Sequence, residues 1–260
     1  MDLELGGKVA LVTGSSRGIG RAIAEALAAE GCKIMLTGRD EPALAEAARA
    51  LAARSAAAHS AALDLQEPAA AGKLVEATRK AFGRLDILVN NAGHTLRGDF
   101  LKQTDEDWQQ SFAMKFFAHV RLTRAAWPLL TESRGSVVMI GGTAGKQTTA
   151  NSMIGGSVNA ALLAFNRALA EIGTKDGVQV NLVSPGHVDT DRLRQRLAMV
   201  MRETGLDLDA ARERYRERLG AKRIGRPEDV ANFVAFIASS RGSWLHGSCI
   251  DLHGGQIRPI

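Results

Sequence analysis

Apolar and polar positions fall in alternating blocks along this chain. Short apolar and β-branched runs occur at Lys8–Thr13, Lys33–Thr37, Ala57–Leu63, Leu85–Asn90, Ser136–Ile140, Val178–Val183 and Cys249–Leu252. Between them, apolar residues recur at helical spacing over roughly 17–30, 41–53, 67–82, 105–130, 152–173 and 227–239. Near-continuous apolar strands alternating with amphipathic helices predict an α/β fold, a parallel sheet with helices on both faces. Segment 189–222 breaks the rhythm as a charged, helical insertion after the sixth strand. Insertions at the carboxyl ends of such strands lie where these sheets bind ligands, so it is expected to act as a substrate lid.

Composition narrows the picture. The 260 residues are 45% hydrophobic, contain six prolines and have no Pro/Gly/Ser-rich linker, which predicts one domain over 1–260. No apolar run reaches the length of a membrane span and Met1–Lys8 lacks a signal pattern. Cys32 and Cys249 are far apart and suggest neither a disulfide framework nor a metal site, so a cytoplasmic protein is expected. The net charge of +5 includes many arginines between Arg192 and Arg226. Acids are interleaved there, as in "ARERYRER" at Ala211–Arg218, which reads as a solvated helix face rather than a nucleic-acid surface. The same arginines leave open an anionic small-molecule substrate.

The sharpest chemical signal is "LVTGSSRGIGRAIAEAL". It sets Gly14, Gly18 and Gly20 between the first strand and the first helix. A tight turn, a close backbone approach and a helix N-terminus suit a pyrophosphate. Gly14, Ser16, Arg17, Gly18, Ile19 and Gly20 are therefore candidate cofactor contacts. The second strand ends "MLTGRD". Gly38 stands where an acid would hold the ribose 2′-hydroxyl of NAD(H), and Arg39 follows it. Arg17 and Arg39 together suit a 2′-phosphate, so NADP(H) is expected over NAD(H).

With these motifs go "NNAG" at Asn90–Gly93, "SPGHVDT" at Ser184–Thr190 and "RIGRPEDVA" at Arg223–Ala231. The chain resembles the short-chain dehydrogenase/reductase family from Leu5 to Gly255. That resemblance implies a Rossmann-type doubly wound domain with a seven-stranded parallel sheet, and a homotetramer or dimer. It implies that Asp64 and Leu65 flank the adenine and that Asn91, Ala92 and Gly93 line the adenosine ribose. Pro185, Gly186, Val188 and Thr190 would line the nicotinamide end. The family's "DGG" near the C-terminus is "HGG" at His253–Gly255.

The family's chemistry implies a Tyr that exchanges the alcohol proton and a Lys four residues later that lowers the phenol's pKa. It also implies a Ser that steadies the substrate oxygen and an Asn on the preceding helix. Aligned through the flanking "TAG" and "AAL", the serine position is Gly142, the tyrosine position Gly155 and the lysine position Asn159. The asparagine position, seven residues after Trp108, is Lys115. The single tyrosine, Tyr215, lies in the insertion, where it either reaches the site or packs the insertion onto the body.

Lysine and asparagine thus exchange places between facing helices. Lys115 and Asn159 are the candidate catalytic residues. Lys115 either supplies a desolvated amine as acid, base or Schiff-base nucleophile, or extends to solvent and pairs structurally. Asn159 is expected to bond the nicotinamide ribose. His94, Thr143, Lys146, Ser152, Ser157 and His187 are further polar residues able to line the mouth. Gly155 and Gly156 would give clearance above the nicotinamide or a close subunit contact. The function expected is that of an NADP(H)-binding oxidoreductase-like protein with a rearranged acid–base set. A catalytically inert binding protein and a non-redox lyase using Lys115 are the alternatives.

Overall fold

The computed structural model describes residues 2–54 and 56–256. Its centre is the apolar run Val9–Thr13 (β1), buried at every position because it is flanked on both sides of one sheet. The other strands are Lys33–Gly38 (β2), Ala58–Ala62 (β3), Ile87–Asn90 (β4), Ser136–Ile140 (β5), Gln179–Pro185 (β6) and Cys249–Leu252 (β7). All pair in parallel in the order β3-β2-β1-β4-β5-β6-β7. The seven strands match the expected sheet, and the direction in which successive strands are added reverses between β1 and β4. A crevice opens at that point, beyond the carboxyl ends of the strands.

Helices cover both faces. Gly18–Ala29 (α1), Glu41–Ala52 (α2) and Pro227–Ile237 (α9) share one core, through residues such as Ile23, Leu44 and Val234. Ala70–Phe82 (α3), Ala118–Ser133 (α5) and Met153–Asp176 (α6) share the other, through Leu74, Leu122 and Leu162. The helix expected over 105–130 is not continuous. Asp105–Phe112 (α4) leads into a π-helical turn at Ala113–Phe117 before α5, where Ala118 N–H donates to Ala113 O. The insertion is two helices, Asp191–Thr204 (α7) and Leu208–Leu219 (α8), joined through Gly205. Leu193, Leu197, Tyr215 and Ile224 form their own small core. Within α8, Arg216 rather than Arg214 or Arg218 pairs with Glu213 and Glu217.

One buried carboxylate fixes the bottom of the sheet. Asp86, 4% exposed, accepts the Val9 N–H at 2.9 Å and both arms of Arg84, at 2.6 and 2.9 Å. Its removal leaves a buried backbone donor and a guanidinium without an acceptor. Asp86→Ala is expected to lower unfolding free energy by about 2–3 kcal/mol, read as a shifted urea midpoint at unchanged m-value.

Candidate functional site

The carboxyl ends of β1, β2, β4, β5 and β6 supply the crevice residues. After β1, Gly14 and Gly18 adopt φ of 63° and 58°, the left-handed region that side chains disfavour. Gly20 packs so tightly that a Cβ there would stand 2.2 Å from Gly14 O. The N-terminus of α1 carries no side-chain cap and no acid in its first turn, so its amide donors face the crevice unneutralised. Ile19 packs beneath it into the core.

The loop after β4 is tied to this turn. Thr13 Oγ1 accepts the N–H groups of Asn91 and Ala92, each at 2.8 Å. Asn91 Nδ2 donates back to Thr13 O and Gly14 O. Asn91 is thus a brace for the glycine turn as well as a residue of the crevice wall. Thr13 was not among the expected site residues; nothing in its sequence context distinguishes a strand-end threonine from any other.

Where the adenine is expected, Gly38 ends β2 beside Ser16, with no carboxylate in the expected acid position. Arg39 and Arg17 are exposed and touch acids only at 3.8 Å, Arg39 with Asp64 and Arg17 with Asp191. Leu65 is buried in the core rather than open to the crevice. At the other end, Thr190 precedes α7 without a side-chain capping bond, and its methyl lies 3.5 Å from where a Gly18 Cβ would be. Val188 bridges to Gly225. Pro185 is the last residue of β6, and Gly186 is pressed by Gln256 and His253. The Gln256 carbonyl accepts His187 N–H at 2.8 Å and His187 Nδ1 at 3.0 Å, which puts the imidazole proton on Nδ1.

The expected exchange partners meet around Gly141. Lys115 sits in the π-helical turn, an irregularity common at functional sites. It does not extend to solvent. The residue is 9% exposed, its side chain runs beneath Gly93, and its Nζ donates to Gly141 O at 3.1 Å. Burial, and secondarily Arg192, pushes the ammonium down to about 7. One turn on, burial pushes the His119 imidazole down to about 3, and its Nε2 bonds Ala92 O. Asn159 turns back along α6, where Nδ2 donates to Gly155 O at 2.7 Å. Its buried Oδ1 has no partner among the described residues. That oxygen lies 3.5 Å from the Cβ position of Gly142 and 3.6 Å from that of Gly141. An unused acceptor and a lysine with two unused protons therefore border the same small region. A hydroxyl or carbonyl oxygen placed there satisfies both.

The two glycines of α6 are accounted for by neighbours within the chain. A Cβ on Gly155 would meet Thr95 Oγ1 at 2.8 Å, and one on Gly156 would run into the Thr148 side chain. The space is filled by two threonines of adjoining loops. Tyr215 does not enter the site. Its ring packs edge-on to His187 at 5.4 Å and under the Arg218 guanidinium at 4.9 Å. Lys146 is bound to Asp251 at 2.7 Å and Ser152 to Thr149, so neither is available to a ligand. Thr143 begins a short 3-10 turn beside Gly142, and His94 is exposed at the crevice mouth. Cys32 and Cys249 are free, and no group of metal-ligating side chains occurs among the described residues.

A family model described as enoyl-(acyl carrier protein) reductase matches residues 14–256. The chain is 33% identical over 251 residues to the 3-oxoacyl-(acyl-carrier-protein) reductase FabG of Escherichia coli, covering 96% of this chain and 97% of that one. Among solved structures, the L-sorbose reductase of Gluconobacter frateurii, complexed with NADPH and L-sorbose, superposes with a TM-score of 0.96. It is 33% identical and each chain is covered to 100%. A short-chain dehydrogenase of Burkholderia cenocepacia in complex with NADP gives a TM-score of 0.86 at 32% identity, over 97% of this chain and 98% of that one. With the crevice, the glycine turn and the strand order in agreement, the chain belongs to the short-chain dehydrogenase/reductase family.

Proposed function

We propose that this protein binds NADP(H) and interconverts a carbonyl and a hydroxyl compound with a rearranged acid–base set. In this reading the family's Asn, Ser, Tyr and Lys positions are Lys115, Gly142, Gly155 and Asn159. The observation that carries it is the buried Lys115 ammonium on Gly141 O, with the unpaired Oδ1 of Asn159 near the Cβ positions of Gly141 and Gly142.

The crevice fits the cofactor. Gly14, Ser16, Gly18 and Gly20 shape the turn for a pyrophosphate, and the uncapped start of α1 offers it amide donors. Arg17 and Arg39 are open to a 2′-phosphate, and Gly38 removes the acid that would repel it. When bound, the nicotinamide supplies or accepts a hydride. Lys115 then protonates the substrate oxygen in reduction or receives the hydroxyl proton in oxidation. A proton affinity near neutrality suits both directions. Asn159 Oδ1 orients a hydroxyl by accepting from it. With Tyr215 held in the insertion, the chain has no other phenol for this task.

The same lowered amine also suits a Schiff base, and the intact crevice also suits an inert binding protein. The experiment that separates the readings is a fluorescence titration with NADPH and NADH, followed by turnover assays on a carbonyl panel. NADPH is expected to bind about tenfold or more tightly than NADH, with the preference lost in Arg17→Ala/Arg39→Ala. Turnover is expected in the wild type and absent in Lys115→Ala. Binding without turnover supports the inert reading; turnover without nicotinamide oxidation supports the lyase.

A further inference from the structure

The loop after β4 is pinned along its length. Ala92 O accepts the His119 Nε2 proton at 3.0 Å. Gly93 rests on the Lys115 stem, where a Cβ would stand 2.9 Å from Lys115 Cγ. Leu96 N–H donates to Ser111 Oγ at 3.4 Å, and Gly98 N–H to Asn151 O at 3.2 Å, just ahead of α6. The loop is thus laid across from the π-helical turn to the start of α6, and Thr95 lies between these ties.

Thr95 Oγ1 stands 2.8 Å from where a Gly155 Cβ would be, and no other residue distant in sequence comes within 4 Å of that position among the described residues. Neighbouring hydroxyls are spent locally: Thr148 donates to Ala144 O, and Thr149 and Ser152 bond each other. The Thr95 hydroxyl has no hydrogen bond among the described residues, and the residue is only half-buried. Thr143 and Ser157 also carry unbonded hydroxyls, but neither approaches Gly155 in this way. Asn159 lies one turn beyond Gly155 on the same face of α6, with its Nδ2 on Gly155 O. Its Oδ1 borders Gly141, whose carbonyl holds Lys115 Nζ. Gly93 and Thr95 are two residues apart, so their Cα atoms are within about 7 Å of each other. One short stretch therefore touches the Lys115 stem and overhangs the helix position from which the family's tyrosine would project.

We propose that Thr95 Oγ1 is a specificity-determining contact, binding a hydroxyl that the substrate carries on the carbon beside its reacting carbonyl. The substrate class is then α-hydroxy ketones rather than plain ketones. This rests on the crevice being the reaction site and on Lys115 being the group that meets the carbonyl. A threonine hydroxyl both donates and accepts, which matches another hydroxyl better than it matches an ion. A site built to bond a hydroxyl rejects the analogue with a methyl in its place, because the protein's own hydroxyl is then shut off from water without a partner. No proton changes owner at Thr95. Lys115 supplies it, so Thr95 acts on the choice of substrate rather than on the acid–base step.

The test is steady-state kinetics with NADPH on two pairs of similar shape. One is hydroxyacetone against butanone, and the other is acetoin against isopropyl methyl ketone. The ratio of kcat/KM within each pair is compared between proteins, which cancels the intrinsic reactivity of the ketones. Thr95→Val is expected to lower the ratio about five- to tenfold. Thr95→Ser is expected to keep it within about twofold of wild type, and NADPH affinity to stay within about twofold in both variants. Gly155→Ala is expected to lower the ratio as well, because its methyl displaces the Thr95 hydroxyl. Gly155→Ala/Thr95→Val should then lower it no further, since both changes remove one contact. A ratio unmoved by Thr95→Val, not kept by Thr95→Ser, or unmoved by Gly155→Ala overturns the proposal. If the wild type turns over no ketone, the proposed reaction fails separately, and the same pairs are compared by NMR titration of protein saturated with NADP⁺. The same changes are then expected in the ratio of dissociation constants. Equal binding within both pairs, or no binding of either, overturns the proposal.

Discussion

Lys115→Met is expected to make the protein more stable while removing the turnover proposed for it. Lys115 is 9% exposed, its one hydrogen bond among the described residues is to Gly141 O, and burial lowers its pKa from 10.5 to about 7. Each unit of that shift corresponds to about 1.4 kcal/mol of preference for the neutral form, so keeping the lysine costs several kcal/mol. The hydrogen bond lost to Gly141 is worth only about 1 kcal/mol, so desolvation decides the sign. Methionine has similar length, needs no proton and fills the same channel beneath Gly93.

The pH dependence follows from the depressed folded-state value. Below about 7 both folded and unfolded chains hold the proton, and the penalty on the wild type is complete. Between about 7 and 10.5 the unfolded chain binds more protons than the folded one, so wild-type stability rises with pH and the penalty disappears. The advantage of the variant is therefore largest at or below neutrality, on the order of 5–10 °C in melting temperature, and fades toward pH 10. An advantage that does not change with pH, or a variant less stable at pH 7, would show that Lys115 is not held as a buried amine.

Gly20→Ala is expected to have the opposite effect on the crevice. The added methyl would lie 2.2 Å from Gly14 O and 2.8 Å from Gly14 C, which are backbone atoms that no rotamer change moves. It would also lie 2.5 Å from Asn91 Nδ2, whose bonds to Thr13 O and Gly14 O hold the turn to the next loop. Relief requires α1 to shift away from β1. The expected cost is about 1–3 kcal/mol in unfolding free energy, with NADPH affinity lowered by about tenfold or more. Gly72→Ala provides the contrast. Gly72 lies within α3 with no atom near its Cβ position, so the same substitution should stabilise by up to about 1 kcal/mol. NADPH binding unchanged in Gly20→Ala would refute the view that this contact sets the turn.

The sheet was legible because its strands are short apolar runs between helical periods, and every one formed near its expected place. The errors have local causes. The third helix begins at Ala70 rather than 67, because Glu67 and Pro68 form a turn closed by Ala70 N–H to Glu67 O. The sixth helix runs on to Asp176, past Gly173. That glycine is a close approach rather than a stop, since a Cβ there would meet Val178 O at 2.3 Å. The stop is Gly177, at φ 74°. In the site, the glycine turn and the placing of Lys115 and Asn159 near Gly141 were legible because both are identities at fixed spacing. The different partners of the α7 arginines were not. Sequence shows Arg192, Arg194 and Arg196 alike, and only the fold sets Arg194 against Asp189 and Asp191, Arg192 against Gly93 O and Arg196 against the Tyr215 hydroxyl.

The π-helical turn keeps the phase of the helices it joins. Each residue advances an α-helix by about 100°, so residues three or four apart share a face. Ser111 ahead of the turn and Lys115, Ala118, His119 and Leu122 within or beyond it all face inward. Their intervals of four, three, one and three residues are those of a single helical stripe, so the inward face runs through Ala113–Phe117 unbroken. Lys115 is therefore buried in line with the apolar residues that follow it, and its amine is enclosed by its place on that stripe as much as by the loops above it.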